Sequence, residues 1–476
     1  MENFLLFPLS LILPIFALAL FYYTLKPPKP ETEKLERLPP GSFGWPIIGE
    51  TFAFVNQDHD KFIAERMRKY SPKIFKTKIL GEKTVVLCGT SGHKFVASNE
   101  EKLFLAWRPH SMQKLFRSSY QKVDSAAIPR QAEVQIMKAP GFLRPESLFK
   151  YVEVMDSLVA QHFDTYWARK GVIEVHHLAQ LLVLTLSGRF FLGLDDPNRI
   201  QKLSKLLDTM MFALHVIPLD FPGTIFHRAM VAAKAVREDL QLLIREKRAA
   251  MAAGVKMNDV LSFMINNPDP NGRYMPENEI ADKVMGLVAA AFNSPAMTTA
   301  FIVKYLGQRP DIYDKVRNEQ EEIGRSKKEG ERLNWEDMQK MKYSWNVALE
   351  VMRLIPPLQG TFREAAADIT YEGYTIPKGW KVYWTVSTTS MNPEHFPAPV
   401  EFDPARYEKS SVPPYTNIPF GSGPRICPGK DYARLQILTF MHHLVTKFKW
   451  DVLNPNCKVL GGMNPIPIQG LQIRLH

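Results

Sequence analysis

One cysteine of this chain lies in a tight segment rich in glycine and proline. Residues 419–429 read PFGSGPRICPG and contain Cys427, one of three cysteines in 476 residues. Arg425 places a permanent positive charge two positions before the sulfur, and an apparent helix, KDYARLQILTFMHHLVTKF, follows it. Because the N-terminus of a helix stabilises negative charge, this position favours a thiolate. The glycines around the sulfur, Gly421 among them, allow a large flat group to approach the backbone closely.

Several kinds of chemistry compete for Cys427. It could be an inert buried thiol, which is the usual state of a lone cysteine. It could be a nucleophile, but the segment itself contains no general base. A zinc site would need further ligands at short spacing, and the segment has none. A thiolate ligand to haem iron, with a haem propionate bound by Arg425, accounts for every feature of the segment.

The spacing Phe420-x-x-Gly423-x-Arg425-x-Cys427-x-Gly429 resembles the haem-binding signature of the cytochrome P450 monooxygenases. The resemblance implies a mainly α fold with small β-sheets, a haem b cofactor and Cys427 as the axial iron ligand. Phe420, Gly421 and Arg425 are then expected to contact the cofactor.

A second motif lies earlier in the chain. Glu350 and Arg353, in LEVMRL, are three residues apart and share one helix face, as many solvated surface pairs do. They resemble the family's Glu-x-x-Arg motif, which implies a buried triad with Arg406 of FDPARY that orders the structure behind the haem. The family often has Phe after this last arginine, whereas this chain has Tyr407. Arg363 resembles the second propionate partner, although its segment could also be a plain turn at a helix end.

The long apolar helix expected at 279–306 departs from the family pattern. Where the family has an acid followed by an alcohol, this chain has Asn293 and Ser294, and Pro295 follows them. An amide has no acidic proton to deliver, while the serine keeps the hydroxyl. Two interpretations stay open: Ser294 and ordered water deliver protons, or the relay is lost.

A further propionate partner of the family has no clear counterpart. Ile136 or Met137 falls where the basic residue of an early helix would stand, and Lys138 or Arg130 are the possible substitutes.

The rest of the chain is organised around these motifs. Residues 1–25 form an almost uncharged apolar run, predicted to be a single transmembrane anchor. Residues 26–50 are a proline-rich hinge, and residues 51–476 form one haem-thiolate domain. Lys26 and Lys29 after the anchor predict a cytosolic body, which suggests the endoplasmic reticulum membrane.

Apolar spacing predicts the main elements. Helices are expected at 59–69, 150–168, 200–212, 228–253, 279–306, 310–325 and 335–355, and strands at Ile74–Ile79, Thr84–Leu87, Ile369–Ile376 and Val382–Thr385.

Composition limits the classes of partner. Hydrophobic residues make up 45% of the chain, which is enough for a large core, and the formal net charge is +11. No run of basic residues interleaved with aromatics suggests nucleic acid, so the charge favours lipid headgroups or an acidic protein. By resemblance, that protein partner is the NADPH-dependent cytochrome P450 reductase.

The substrate class rests on a resemblance to plant microsomal terpenoid and sterol oxidases of the brassinosteroid and triterpenoid oxidase clan. PPGSFGWPIIGETFAF (39–54) and IPLDFPGTIFHRAMVAAKAVR (217–237) carry this resemblance. It implies hydroxylation of an apolar cyclic terpenoid, a diterpenoid or triterpenoid, and successive oxidation of a methyl group to a carboxylic acid is compatible with it. The residues expected to line the cavity are Met210, Met211, Phe212, Leu214, Ile217, Ala289–Phe292, Leu358, Met463, Pro465 and Ile468.

Two other functions remain open because of Asn293 and Pro295. One is a reductase-independent haem isomerase or dehydratase. The other is a non-catalytic terpenoid-binding protein that has lost oxygen activation.

Overall fold

The computed structural model describes residues 37–56, 58–117, 143, 145–168, 171–268, 271–409, 412–457, 459–460, 463–467 and 470–476. The predicted anchor, residues 26–36 of the predicted hinge, the early-helix positions 130 and 136–138, and Ile468 lie outside these residues.

The described part of the chain is mainly helical. Its helices are α1 (Thr51–Asn56), α2 (His59–Lys69), α3 (Gly89–Ser98), α4 (His110–Phe116), α5 (Pro145–Phe149), α6 (Val152–Tyr166), α7 (Val175–Ser187), α8 (Pro197–Met211), α9 (Ile225–Ala252), α10 (Val260–Asn266), α11 (Glu277–Gln308), α12 (Pro310–Arg325), α13 (Trp335–Lys340), α14 (Lys342–Leu354), α15 (Ser387–Ser390), α16 (Arg406–Lys409) and α17 (Lys430–Lys447). A π-helical turn, Gly188–Leu192, extends α7, and a 3-10 turn, Gly423–Arg425, precedes α17.

Short strands form small sheets at the side of the helical body. They are β1 (Ile74–Ile79), β2 (Glu82–Leu87), β3 (Phe104–Ala106), β4 (Val172–Glu174), β5 (Gly360–Ala365), β6 (Ile369–Tyr371), β7 (Tyr374–Ile376), β8 (Lys381–Thr385), β9 (Trp450–Val452), β10 (Val459–Leu460), β11 (Ile466–Pro467) and β12 (Gln472–Leu475). The largest sheet has the order β1-β2-β8-β5-β3, and a second has the order β4-β12-β9. The pairs β6-β7 and β10-β11 complete the set of described sheets.

Most predicted helices coincide with observed helices within a few residues at each end. The exception is the segment 335–355, which forms two helices, α13 and α14, with Met341 between them. The expected strand Ile369–Ile376 is also wrong, because the chain turns back between β6 and β7. Glu372 and Gly373 both have positive φ, +50° and +79°, and this is the backbone of a tight hairpin turn.

Local signals explain where the long helices begin. The Asp196 side chain accepts a hydrogen bond from the Asn198 N–H at 2.9 Å, and Pro197 occupies the first position of α8. The Thr224 hydroxyl accepts from the His227 N–H at 3.1 Å and so caps α9. Helix α11 has Glu277 and Glu279 in its first turn, where negative charge is favourable.

Helix α11 is the centre of the core. It contacts α7, α9, α14 and α17, which together surround it. Two described helical stretches, Val175–Leu192 and Glu277–Gln308, are long and apolar enough to cross a membrane, but they are mostly buried inside the protein. The C-terminal end of α11 is fixed by Trp450, whose Nε1–H donates to the Val303 carbonyl at 3.0 Å. A Cβ at Gly307 would lie 2.6 Å from Trp450 Nε1, so only glycine allows this approach.

Pro295 lies inside α11 and leaves the Ala291 carbonyl without its helical donor. We expect Pro295→Ala to stabilise the protein. Proline costs about 3 kcal/mol relative to alanine in a helix interior. Loss of two buried methylene groups removes about 1.6 kcal/mol of that gain. Urea denaturation of the full chain in detergent should show a net gain of about 1 kcal/mol.

The control is Pro310→Ala, because Pro310 occupies the first position of α12, where proline is favourable. This variant should not gain stability. A Pro295→Ala protein that is less stable than wild type would contradict the expectation and show that the ring packing outweighs the restored hydrogen bond.

Candidate functional site

The loop before α17 holds Cys427 in a fixed position. The Cys427 N–H donates to the Phe420 carbonyl at 2.8 Å, which closes the loop on itself. Gly423 has φ +72°, and a Cβ there would lie 2.8 Å from the Ala97 carbonyl oxygen, so the loop packs directly on α3. The Phe420 ring stacks on Trp345 of α14, with a centroid separation of 6.2 Å and an interplanar angle of 22°. These contacts tie the cysteine loop to both α3 and α14.

The sulfur of Cys427 differs from those of the other two cysteines. Cys427 is exposed, whereas Cys88 and Cys457 are buried. Desolvation by the surrounding protein raises the pKa of the Cys427 thiol, and the Gly429 N–H, hydrogen-bonded to the sulfur, acts against this effect. A cation bound at the sulfur would deprotonate it.

The carboxylate of Glu350 lies between two arginines. Arg353 donates to it twice, from Nε to Oε2 and from Nη2 to Oε1, both at 2.8 Å. Arg406 Nε donates to Oε1 at 2.9 Å. The side chains of Glu350 and Arg353 are completely buried. The structure thus brings together the three residues of the expected triad.

Three further groups complete this cluster, and the sequence did not predict them. Tyr407 donates its hydroxyl to Glu350 Oε2 at 3.2 Å, and Asn417 Nδ2 donates to the same hydroxyl at 2.9 Å. The Asp403 N–H donates to Glu350 Oε1 at 3.1 Å. The residue at 407, noted above as a departure from the common phenylalanine, is therefore a functional part of the hydrogen-bond network. The hydroxyl of Tyr407 was the signal in the sequence that could have predicted this contact, because a buried tyrosine hydroxyl normally finds a hydrogen-bond partner.

Both expected propionate partners lie beside one acidic residue. Arg363 of β5 donates from Nε to Glu100 Oε1 at 2.5 Å. Arg425 Nε lies 3.3 Å from Glu100 Oε2, and its Nη2 lies 3.9 Å from Glu101 Oε1. Desolvation lowers the pKa of Arg363, Glu100 opposes this change, and the nearby Arg425 adds to it. Sequence reasoning missed Glu100, because the pair is separated by 263 positions.

One side of α11 faces open space. Ala290 is exposed and Ser294 is partly exposed, although the helix is otherwise largely buried. A Cβ at Gly286, one turn earlier, would meet nothing within 4 Å. Gly286, Ala290 and Ser294 lie one helical turn apart and form an open strip on α11. This helix also contacts α17.

Asn293 lies beside this strip and is only 3% exposed. Among the described residues, neither its Nδ2 nor its Oδ1 has a hydrogen-bond partner. An unpaired buried amide is unfavourable by about 1–3 kcal/mol, so the position is suited to a ligand or a water molecule. Thr298, one turn later, donates its hydroxyl to the Ser294 carbonyl at 3.1 Å.

The residues expected to line an apolar cavity divide into two groups. Phe212, Ile217 and Leu358 are exposed by 40–50%, which suits a cavity or surface position. Met210 and Phe292 have no exposed surface and belong to the core. The expectation that all of them face a substrate is therefore too broad.

The residues present fit a haem. The Cys427 side chain is open, the α11 strip leaves room, and the two arginines retain unpaired N–H groups among the described residues. No group of three or more His, Cys, Asp or Glu side chains in the described ranges could hold a metal ion instead.

The Glu350 cluster generates a stability prediction. Tyr407→Phe removes one donor to a buried carboxylate and leaves Asn417 without its acceptor, so the free energy of unfolding should fall by about 1–3 kcal/mol. Glu350→Gln leaves two arginines without a buried counter-charge and should lower it by about 3–5 kcal/mol. Tyr274→Phe is the matched control, because Tyr274 is 64% exposed. Equal stability of the Tyr407→Phe and Tyr274→Phe proteins would show that the phenol contributes nothing.

Comparison with known proteins gives a consistent result. The family model described as Cytochrome P450 matches residues 39–465. The chain is 45% identical to the beta-amyrin 28-monooxygenase of Medicago truncatula, with 100% of this chain and 98% of that protein covered. It is 46% identical to beta-amyrin 28-monooxygenase CYP716A378 of Saponaria officinalis, over 92% of this chain and 91% of the relative.

A solved structure supports the same conclusion. The retinoic acid-bound cyanobacterial CYP120A1 superposes with a TM-score of 0.82 at 28% identity, covering 92% of this chain and 99% of that one. The mainly α fold expected from the sequence is confirmed. The chain belongs to the cytochrome P450 family.

Proposed function

We propose that this protein is a haem-thiolate monooxygenase that oxidises a C–H bond of a cyclic triterpenoid with NADPH and dioxygen. The observation that carries the proposal is the exposed Cys427 side chain, held at the start of α17 by a loop that packs on α3 and α14. Bound haem supplies the oxygen activation that side chains alone do not provide.

The residues around the sulfur have distinct roles in this proposal. Cys427 ligates the haem iron, and Phe420 and Gly421 shape the loop that carries it. Arg425 and Arg363 bind the haem propionates through the N–H groups that Glu100 leaves free. Glu350, Arg353 and Arg406 hold α14 against the segment that leads to the loop. Their role is structural, because the first two side chains have no exposed surface.

The open strip of α11 is the proposed site of proton supply. The Ser294 hydroxyl donates a hydrogen bond into the open space. It gives up its proton there and takes another proton from a water molecule. Asn293 has no acidic proton, so its amide holds and orients a water molecule. Proton delivery is then slower than with an acid at 293, but it is not abolished.

The substrate class follows from the relatives and from the character of the site. Full-length relatives are beta-amyrin 28-monooxygenases. Exposed apolar residues such as Leu358, Phe212 and Ile217 suit a hydrophobic polycycle, which they would bind with exclusion of water. Successive oxidation of one methyl group to a carboxylic acid is the further reaction that we assign to the same site.

The cellular setting completes the proposal. Residues 1–25 anchor the protein in the endoplasmic reticulum membrane, residues 26–50 form a stiff hinge, and residues 51–476 form the cytosolic haem domain. Electrons come from a separate NADPH–cytochrome P450 reductase. The net charge of +11 suits both an anionic lipid surface and an acidic reductase.

The test uses recombinant membranes containing the full chain. After reduction and addition of carbon monoxide, the wild-type protein should show the strongly red-shifted Soret band of thiolate-ligated haem. Cys427→Ser should lose this band. Cys88→Ser is the control, because Cys88 is buried in the hydrophobic cluster of Phe54 and Phe75, which contains no residue of the loop, and should leave the band unchanged. With reductase, NADPH and beta-amyrin, only proteins that show the band should form an oxidised product.

Three outcomes would count against the proposal. Absence of the band in folded wild-type protein would remove the haem site. Product formation without NADPH would instead favour a reductase-independent isomerase or dehydratase. A substrate-induced spin shift without any product would favour a terpenoid-binding protein that does not turn over.

The role of Asn293 is tested separately. Asn293→Asp introduces a carboxyl group that burial keeps largely protonated, so it should supply the missing proton. The yield of product per NADPH consumed should rise about tenfold, which is below the full effect of a well-placed general acid. Ser294→Ala should lower the same yield. If neither substitution changes it, protons reach the site by a different route.

A further inference from the structure

Glu100 occupies a position that no motif of the sequence assigns. It follows α3 and is 5% exposed, and it lies between Arg363 of β5 and Arg425 of the cysteine loop. The backbone fixes it there, because Glu101 N–H donates to the Phe104 carbonyl at 2.9 Å and Glu100 bridges to Phe104. The carboxylate thus connects three segments that are distant in sequence.

Arg363 and Arg425 use only some of their N–H donors within the protein. Arg363 gives its Nε–H to Glu100, and its Nη1 donates to Thr361 Oγ1 at 3.0 Å and to the Phe362 carbonyl at 2.8 Å. Its Nη2 therefore has no hydrogen-bond partner among the described residues. Arg425 Nε lies 3.3 Å from Glu100 Oε2 in an ion pair without hydrogen-bond geometry, and its Nη2 forms a longer ion pair of 3.9 Å with Glu101 Oε1. Because a guanidinium has five N–H donors, both arginines keep terminal donors for another acceptor.

A third donor lies at the same place. Trp384 of β8 is 8% exposed, and its Nε1–H has no partner among the described residues. Trp384 lines a small cavity together with Glu100 and Arg363. A buried indole N–H normally finds an acceptor, so this unpaired donor indicates an acceptor that the protein itself does not supply.

We propose that Glu100 is a positioning residue, which holds Arg363 and Arg425 by their Nε edges so that their terminal N–H groups, with Trp384 Nε1–H, receive a carboxylate of the haem. This inference rests on the proposed haem site and adds to it a residue that does not itself contact the cofactor. A planar guanidinium held at its Nε keeps the direction of its remaining N–H groups fixed, and for Arg363 these are the two of Nη2.

Electrostatics alone predicts that the removal of Glu100 strengthens haem binding. Glu100 carries a negative charge, so its simple removal would make the site more positive and strengthen attraction for an anionic propionate. Positioning instead predicts that removal weakens haem binding, because the two arginines lose their fixed orientation. The two explanations therefore differ in the sign of the effect.

The experiment measures the rate of haem transfer from the full-length holoprotein to excess apomyoglobin, followed by absorbance. Glu100→Leu should release haem at least about tenfold faster than wild type, a change equivalent to about 1.4 kcal/mol. Glu100→Gln keeps the shape and one acceptor and should be intermediate. Glu238→Gln is the matched control, because Glu238 has the same charge, is 63% exposed and contacts neither arginine, and it should stay within about twofold of wild type.

A double-mutant cycle separates positioning from a general loss of stability. Arg425→Lys should accelerate haem release strongly in the wild-type background but only weakly in Glu100→Leu, because Arg425 is then no longer oriented. Circular dichroism shows that each variant is folded before transfer begins. Additive effects, unchanged release or slower release from Glu100→Gln would each overturn the proposal. All these variants keep Cys427, so they should retain the thiolate spectrum; a wild-type protein without that spectrum would defeat the proposed function instead.

Discussion

The buried carboxylate of Glu350 is the interaction on which the haem-proximal side of the protein depends. It accepts from Arg353, Arg406, Tyr407 and the Asp403 N–H, so both oxygens are fully used. The remaining Arg353 donors reach the carbonyls of residues 390, 399 and 401. All five donors of this guanidinium are therefore paired. A buried ion pair is tolerated only when it is satisfied to this degree, and here the result ties α14 to the irregular segment 387–409.

This cluster and the Glu100 cluster contain the same groups but differ in what they leave free. Each has one glutamate between two arginines, from widely separated parts of the chain. Around Glu350 every donor of Arg353 has a protein acceptor, so the cluster is closed and holds segments together. Around Glu100, Arg363 Nη2 has no hydrogen-bond partner among the described residues, and Arg425 makes only ion pairs of 3.3 and 3.9 Å, so the cluster is open to a carboxylate. The number of arginine donors left unpaired therefore distinguishes a structural cluster from a binding cluster, although the two have the same composition.

The sequence predicted what short-range patterns encode. The spacing around Cys427 and the pair Glu350–Arg353 lie within a few residues, and helical periodicity located most long helices. The segment 369–376 was misread because alternating residues look alike in a strand and in a hairpin, and only the positive φ at Glu372 and Gly373 separates them. Glu100 could not be predicted, since its partners meet only after β3, β5 and the cysteine loop are assembled. Contacts of this kind depend on tertiary structure, which local patterns do not record.

Helix α11 shows where local stability gives way to the needs of a site. Within three positions it contains a buried amide without a partner among the described residues, Asn293, and a proline in the helix interior, Pro295. Each is unfavourable by about 1–3 kcal/mol, yet both lie beside the open strip of Ala290 and Ser294. Local rules of protein structure are broken mainly at functional sites, and this clustering supports the proposed site on α11. The proline keeps the Ala291 carbonyl free and the amide keeps a donor and an acceptor free, which together make this part of an apolar helix able to hold water. In the proposed function, that water is the source of the protons that an amide at 293 does not provide itself.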